Sequence, residues 1–304
     1  MTIRFDDRVA IVTGAGGGLG RTHALALAER GAKVVVNDLG GSVDGSGGSS
    51  EAADRVVEEI RQAGGTAVAD GASVSDETGV DRMVARTIEE FGRVDILVNN
   101  AGILRDKSFA KMEVADWDAV IDVHLRGTFL CTKAVWGRMR DQGYGRIVLT
   151  TSSSGLYGNF GQSNYGAAKM AMVGLMNTLH LEGAKYDIRT NCLAPAAATR
   201  MTENLGIPEE AMALMTPESV SAGLVYLASE DAPRRAILAA AAGGFALAKI
   251  YETDGVWLAP GEQTPEAVRD AWDRIADASD QKELQQGGEQ SAKFLQKAAA
   301  SLKG

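Results

Sequence analysis

Tyr165 and Lys169, in the run Tyr165-Gly-Ala-Ala-Lys169, can between them move a proton. Spaced i and i+4, a phenol and an ammonium share one face of a helix. A free phenol titrates near 10 and is a poor base at neutral pH. Bringing it to about 7 takes on the order of 4 kcal/mol of preferential stabilisation of the phenolate. A neighbouring ammonium in a partly dry site supplies roughly that much. Tyr-x-x-x-Lys alone is common by chance, so the surrounding residues decide its meaning. Ser152 precedes Tyr165 by 13 residues and follows the apolar run Arg146–Leu149. A hydroxyl at the end of a strand can orient a substrate oxygen while the phenol passes the proton.

A second group of residues suits a dinucleotide. Thr13-Gly14-Ala15-Gly16-Gly17-Gly18-Leu19-Gly20 lies between the apolar run Val9–Val12 and a helical pattern from Arg21 to Arg30. Gly14 allows a sharp turn, while Gly18 and Gly20 let backbone approach a pyrophosphate and pack helix on strand. The start of that helix then turns N–H groups and a positive dipole toward phosphate, and Leu19 joins Gly14, Gly18 and Gly20 as an expected cofactor contact. Asp38 closes the second apolar run, 18 residues past Gly20. A carboxylate there accepts hydrogen bonds from adenosine ribose hydroxyls and repels a 2′-phosphate. No Arg or Lys follows Asp38 directly, so NAD is expected in preference to NADP. Asn99-Asn100-Ala101-Gly102 ends the fourth run, at the carboxyl edge where open α/β sheets bind ligands. Asn100, Ala101 and Gly102 therefore join the expected cofactor contacts.

Elements must hold these residues in place. Val9–Val12, Lys33–Val36, Thr66–Ala69, Val94–Val98, Arg146–Leu149 and Arg189–Leu193 read as strands, separated by helical patterns such as Glu51–Ala63. Near-continuous apolar strands alternating with helices predict an α/β fold with a parallel sheet covered on both faces. Right-handed crossovers make it a single doubly wound Rossmann-type domain of about seven strands. That domain is expected over residues 1–277, with a helical tail over 278–304. In the tail, Phe294, Leu295 and Leu302 recur at helical spacing, as a docking helix or a frayed end. The Gly/Ser-rich stretch Gly40–Ser50 reads as a flexible surface loop.

Composition narrows the function classes. The 304 residues carry a net charge of −9, which repels nucleic acid and anionic membranes. Cys131 and Cys192 lie far apart and suggest buried, reduced thiols. They and the three histidines show no metal-ligand spacing, so no metal is expected. The Ala/Gly-rich run Ala236–Ala248 is too short to span a bilayer. There is no basic-then-apolar leader after Met1, and Leu302-Lys303-Gly304 is not a peroxisomal tripeptide. A soluble, cytoplasmic protein is the expectation.

With Thr-Gly-x-x-x-Gly-x-Gly at Thr13–Gly20, Asn-Asn-Ala-Gly at Asn99–Gly102 and the Ser152, Tyr165, Lys169 spacing, the chain resembles the short-chain dehydrogenase/reductase family. The resemblance implies interconversion of a secondary alcohol and a ketone, with Tyr165 as general acid/base and Ser152 positioning substrate. Lys169 would hold the nicotinamide ribose and lower the Tyr165 pKa. Tyr165 and Lys169 would thus also touch the cofactor. Further contacts are implied at Pro195 and Thr199, after the sixth strand, and at Ser73 and Val74. A fourth catalytic place, Asn in many members, is His124 here, where the family role belongs to a backbone carbonyl. Ser73 replaces a frequent Asp, and Ala196 a frequent Gly. Within the family, Val35–Gly41, Asn100–Asp106, Ser154–Gln162 and Thr264–Arg269 with Trp272 are similar to the (3R)-hydroxyacyl-CoA dehydrogenase branch found in peroxisomal multifunctional enzymes of type 2. That similarity implies a (3R)-3-hydroxyacyl-CoA substrate in a stand-alone dehydrogenase. A hydroxysteroid or other bulky alcohol is the alternative, and a non-catalytic NAD-binding scaffold a third reading. Family members are usually homodimers or homotetramers.

Overall fold

The computed structural model describes residues 2–49, 51–197 and 208–301. The apolar runs form β1 (Val9–Thr13), β2 (Lys33–Asn37), β3 (Thr66–Asp70), β4 (Ile96–Asn99), β5 (Gly145–Thr150), β6 (Ile188–Ala196) and β7 (Ile237–Ala241). Neighbouring pairs from β3 through β7 are parallel. Every residue of β1, β4 and β5 is buried, as required of strands packed on both faces. β4 starts two residues later than the pattern Val94–Val98 suggests. Asp95, just before it, accepts from Val9 N and from Arg93, so its side chain serves the strand end.

The helices are α1 (Gly18–Glu29), α2 (Glu51–Gln62), α3 (Glu77–Phe91), α4 (Val114–Ile121), α5 (Gly127–Gln142), α6 (Ser153–Tyr157), α7 (Ser163–Gly183), α8 (Glu209–Leu214) and α9 (Pro217–Ala228). α1 packs with α2 and α9 in one layer, while α3 packs with α5 and α4 with α7 in another. The layers bury Val12, Val36, Val98, Val148 and Leu193 on one side of the sheet.

An eighth strand, β8 (Gly244–Ala248), follows β7, where about seven were expected. Ala242 and Gly243 between them have φ of +48° and +79°, the mirror-image turn of a two-residue hairpin. Such a turn makes β8 antiparallel to β7. The strand order is β3-β2-β1-β4-β5-β6-β7-β8. Progression reverses between β1 and β4, opening a crevice at the carboxyl ends of those strands.

The chain divides into two compact units, Met1–Leu247 and Ala248–Gly304. Residues 248–277, expected with the sheet, instead group with the tail. The second unit holds α10 (Pro265–Asp270), α11 (Trp272–Ile275) and α12 (Gly287–Ser301). Its threads are explicit. Glu252 and Lys282 form an antiparallel bridge, Lys293 donates to Glu252 (2.5 Å) and to the Thr253 carbonyl (2.7 Å), and Thr253 donates to the Ile275 carbonyl (2.6 Å). Phe294 and Leu295 lie on α12, half-exposed and exposed; Leu302 is outside the described residues.

Candidate active site

β1 runs directly into the glycine turn. Gly14 has φ +63°, and a Cβ there would lie 2.7 Å from the Ala101 Cα. A Cβ on Gly20 would lie 2.1 Å from the Gly14 carbonyl oxygen. Only hydrogen fits at either place. Beneath the turn, the Thr13 hydroxyl accepts from the N–H groups of Asn100 (3.0 Å) and Ala101 (3.1 Å). The Asn100 amide donates back to the carbonyls of Thr13 (3.0 Å) and Gly14 (3.1 Å). The Asn100 side-chain amide nitrogen thus braces the turn.

Beside this turn lies a crevice of about 430 Å³. Gly14, Gly18, Leu19, Gly20, Asp38, Ser73, Val74, Asn100, Ala101 and Gly102 line it. So do Asn37, Ile103, Val123 and four residues of the Gly/Ser-rich stretch, none singled out from sequence. Asp38 stands at its edge, accepting from Gly16 N (2.7 Å) and Gly40 N (2.6 Å). Each carboxylate oxygen keeps a lone pair for another donor. Asn37 donates to Asp70 (3.0 Å) and to the Ala72 carbonyl (2.9 Å), and Asp70 accepts from Ala72 N (2.9 Å), which fixes the turn bearing Ser73 and Val74.

The Gly40–Ser50 stretch is not a free surface loop over its described residues. Val43 accepts a backbone hydrogen bond from Leu104 N (2.9 Å), and the Asp44 carbonyl accepts from Arg105 Nε (3.0 Å). Gly45, at φ +87°, rides over the Ile103 side chain. The stretch thereby walls one side of the crevice.

The glycine-rich turn, the helix start with its unpaired N–H groups and the fixed carboxylate together form a cradle that fits a nicotinamide dinucleotide. Gly17 supports this: a Cβ there would meet nothing within 4 Å, so its surface is open to a ligand.

The proton-handling residues lie at the end of β5 and on α7. Ser152 caps α6 by accepting from Ser154 N (3.2 Å), and its hydroxyl acts on the Tyr165 phenol, favouring the ionised form. Thr151 donates to the Lys169 carbonyl (2.6 Å), which locks α7 onto the end of β5. Lys169 is buried; its ammonium donates to the Thr150 carbonyl (2.7 Å) and lies 5.5 Å from the centre of the Tyr165 ring. Burial brings the Lys169 amine down to about 7. Burial also pushes the Tyr165 phenol up from its ordinary value, against the opposing effect of Ser152. Desolvation thus dominates at the phenol, while the Lys169 ammonium is directed at the Thr150 carbonyl.

His124 lies on a π-helical turn, Asp122–Arg126, between α4 and α5. Its ring meets the Tyr165 ring edge-on, with centroids 5.2 Å apart and an interplanar angle of 89°. Burial, aided by the Lys169 charge, brings its pKa down to about 3, so the ring is neutral. His124 thus joins Ser152, Tyr165 and Lys169 in space. Pro195 lies within β6, outside the crevice walls, and Thr199 falls outside the described residues.

Residues 8–210 match the model of the short chain dehydrogenase family. The chain is 50% identical to mouse (Mus musculus) peroxisomal multifunctional enzyme type 2, over 91% of this chain and 38% of that enzyme. The solved structure of the full-length Drosophila melanogaster type 2 enzyme superposes with a TM-score of 0.81 at 41% identity, covering 97% of this chain and 50% of that one. The chain therefore spans half or less of those two relatives. A 7α-hydroxysteroid dehydrogenase, solved with NADH and 7-oxo glycochenodeoxycholic acid, superposes with a TM-score of 0.71 at 30% identity over 79% of this chain and 95% of that one. The fold, the glycine cradle and these matches lead to one conclusion: the chain belongs to the short-chain dehydrogenase family of oxidoreductases.

Proposed function

We propose that the protein is an NAD-dependent dehydrogenase that interconverts a secondary alcohol and a ketone, with a (3R)-3-hydroxyacyl-CoA and its 3-oxoacyl-CoA as the pair. The observation that carries the reaction class is buried Lys169, held at the carboxyl end of β5 by the Thr150 carbonyl with its ammonium 5.5 Å from the centre of the Tyr165 ring, beside Ser152 at the start of α6. The likeness to the type 2 multifunctional enzymes supports the acyl-CoA substrate. The preference for NAD rests on Asp38, whose carboxylate would face a 2′-phosphate with no cation beside it.

Gly14 to Gly20 would hold the pyrophosphate, Asp38 the adenosine ribose, Ser73 and Val74 the adenine side, and Lys169 with Tyr165 the nicotinamide ribose. Pro195 and Thr199 are proposed to close the nicotinamide end. Bound NAD supplies the hydride acceptor. Ser152 donates to the substrate oxygen and orients the hydroxyl. Tyr165 takes the hydroxyl proton as the alcohol is oxidised and returns it in the reverse direction. The cationic nicotinamide adds to Lys169 in lowering a phenol that burial otherwise raises.

A hydroxysteroid or other bulky alcohol is the second reading, favoured by the likeness to 7α-hydroxysteroid dehydrogenase. NADH absorbance separates the readings when the protein is mixed with NAD and (3R)- or (3S)-hydroxybutyryl-CoA or a steroid alcohol. Turnover of the (3R)-thioester alone supports the first. Turnover of the steroid alone removes it, and silence across the whole panel favours a non-catalytic scaffold. A cytoplasmic homodimer or homotetramer completes the proposal. Free, buried Cys131 and Cys192 suit a reducing compartment, and exposed Phe129 on α5 with Met170 and Leu181 on α7 offers apolar surface for self-association. Among the described residues no helix is long and apolar enough to cross a membrane.

A further inference from the structure

His124 makes two contacts that join the cofactor crevice to the phenol. One is polar. Its Nε2 lies 2.8 Å from the Ile103 carbonyl oxygen and 3.0 Å from Ile103 N, and Ile103 is a wall residue of the crevice. A neutral ring makes one of these bonds in each tautomer: protonated on Nε2 it donates to the Ile103 carbonyl, and protonated on Nδ1 it accepts from Ile103 N. Nδ1 has no partner among the described residues, so in either tautomer the polar link runs to Ile103 alone. The other contact is the edge of the ring against Tyr165.

The ring is buried against the backbone of the crevice wall. A Cβ on Gly102 would come 2.3 Å from His124 Cε1, so the glycine is the space into which the imidazole fits. The π-helical turn carries His124 on backbone that departs from the regular helix on either side. Such turns are rare and frequent at functional sites.

We propose that the His124 side chain is a positioning residue: a neutral wedge whose Nε2 fixes the Ile103 wall of the cofactor crevice and whose ring edge sets the Tyr165 phenol. This goes beyond the family role of a backbone carbonyl at that place, and it rests on Tyr165 carrying the proton. The wedge acts through Ile103 on one side and Tyr165 on the other.

Two variants separate the two contacts. His124→Gln keeps an amide nitrogen near the former Nε2 but loses the ring edge. His124→Phe keeps a ring edge but loses the polar link to Ile103. Three quantities are read for each: NADH affinity by fluorescence titration, kcat at saturating NAD, and melting temperature. His124→Gln should lower kcat on the order of tenfold while moving the NADH Kd less; His124→Phe should raise the NADH Kd on the order of tenfold, more than it lowers kcat. Variants that match the parent in both quantities overturn the proposal. So do variants in which kcat and melting temperature fall and Kd rises together without a split. If His124→Phe does not fold, His124→Gln decides alone, and an unchanged kcat overturns the wedge. A parent protein that binds NADH yet oxidises no alcohol defeats the proposed function instead, and the NADH titrations still decide the Ile103 half of this inference.

Discussion

Lys169 donates its ammonium to the Thr150 carbonyl at 2.7 Å, and so is anchored to the end of β5 and not to the phenol one helical turn before it. Its neighbours are apolar or neutral, and burial costs the charged form its hydration. The site therefore keeps two groups away from their ordinary titration, an amine drawn down and a phenol pushed up.

That burial has a consequence for stability. An ordinary lysine amine titrates at 10.5, and Lys169 in the folded chain at about 7. Below pH 7 both folded and unfolded chains carry the proton and the buried charge exacts its full penalty. As pH rises from 7 toward 10.5 the folded chain sheds the proton first and the penalty fades. Lys169→Met should accordingly be more stable than the parent at pH 6, by roughly 1–2 kcal/mol, with the gap narrowing as pH approaches 10. Urea unfolding across that range checks it, and a gap that widens with pH contradicts the burial argument.

Tyr165→Phe should lower turnover by at least ~100-fold, the usual contribution of a positioned acid/base. The ring contact with His124 needs no hydroxyl, so the melting temperature should stay close to the parent value, while NADH affinity should weaken by less than turnover falls, with the loss of the phenol at the nicotinamide ribose. Steady-state kinetics and a fluorescence titration on the same preparation test both halves.

Gly14→Ala should fail at the cofactor. The new methyl would enter a position already 2.7 Å from the Ala101 Cα at a backbone φ of +63°. Left-handed strain alone costs about 1–3 kcal/mol. The expected outcome is a lower melting temperature and loss of measurable NADH binding. Retained binding would show that the turn tolerates a side chain.

Asp38 has two roles that one substitution confounds. It accepts from Gly16 N and Gly40 N, so Asp38→Ala should weaken NADH and NADPH binding alike. Adding Leu39→Arg should then recover NADPH affinity and leave NADH weak. A parent that already prefers NADPH, or a double variant that recovers NADH equally, would remove Asp38 as the selector.

Several features could be read from the sequence because they are local. The apolar runs of β1 to β6, the glycine turn and the Tyr165–Lys169 spacing each declare themselves within a few residues. Other features depend on contacts between distant segments. The brace from Asn100 to the Thr13 and Gly14 carbonyls, the fit of His124 into the space at Gly102 and the seating of Val43 on Leu104 have no signature in composition. The β7–β8 hairpin was hidden for another reason. Ala236–Ala248 contains no polar side chain, so no polar–apolar alternation marks its two strands, and its turn uses Ala242 with φ positive, a conformation that alanine seldom adopts. The grouping of 248–277 with the tail goes with a bridge 30 positions along the chain, Glu252 to Lys282, and with ion pairs 41 and 43 positions along it, Glu252–Lys293 and Asp254–Lys297, which no window of sequence contains.

The seating of residues 40–49 bears on how a nucleotide would leave. Glycine-rich chain gives up more freedom than any other when it is pinned, so entropy constantly favours its release. The Val43–Leu104 and Asp44–Arg105 hydrogen bonds oppose that release. How long the adenosine half of a dinucleotide would dwell on the protein is then set by these two bonds, well away from the bond-breaking chemistry.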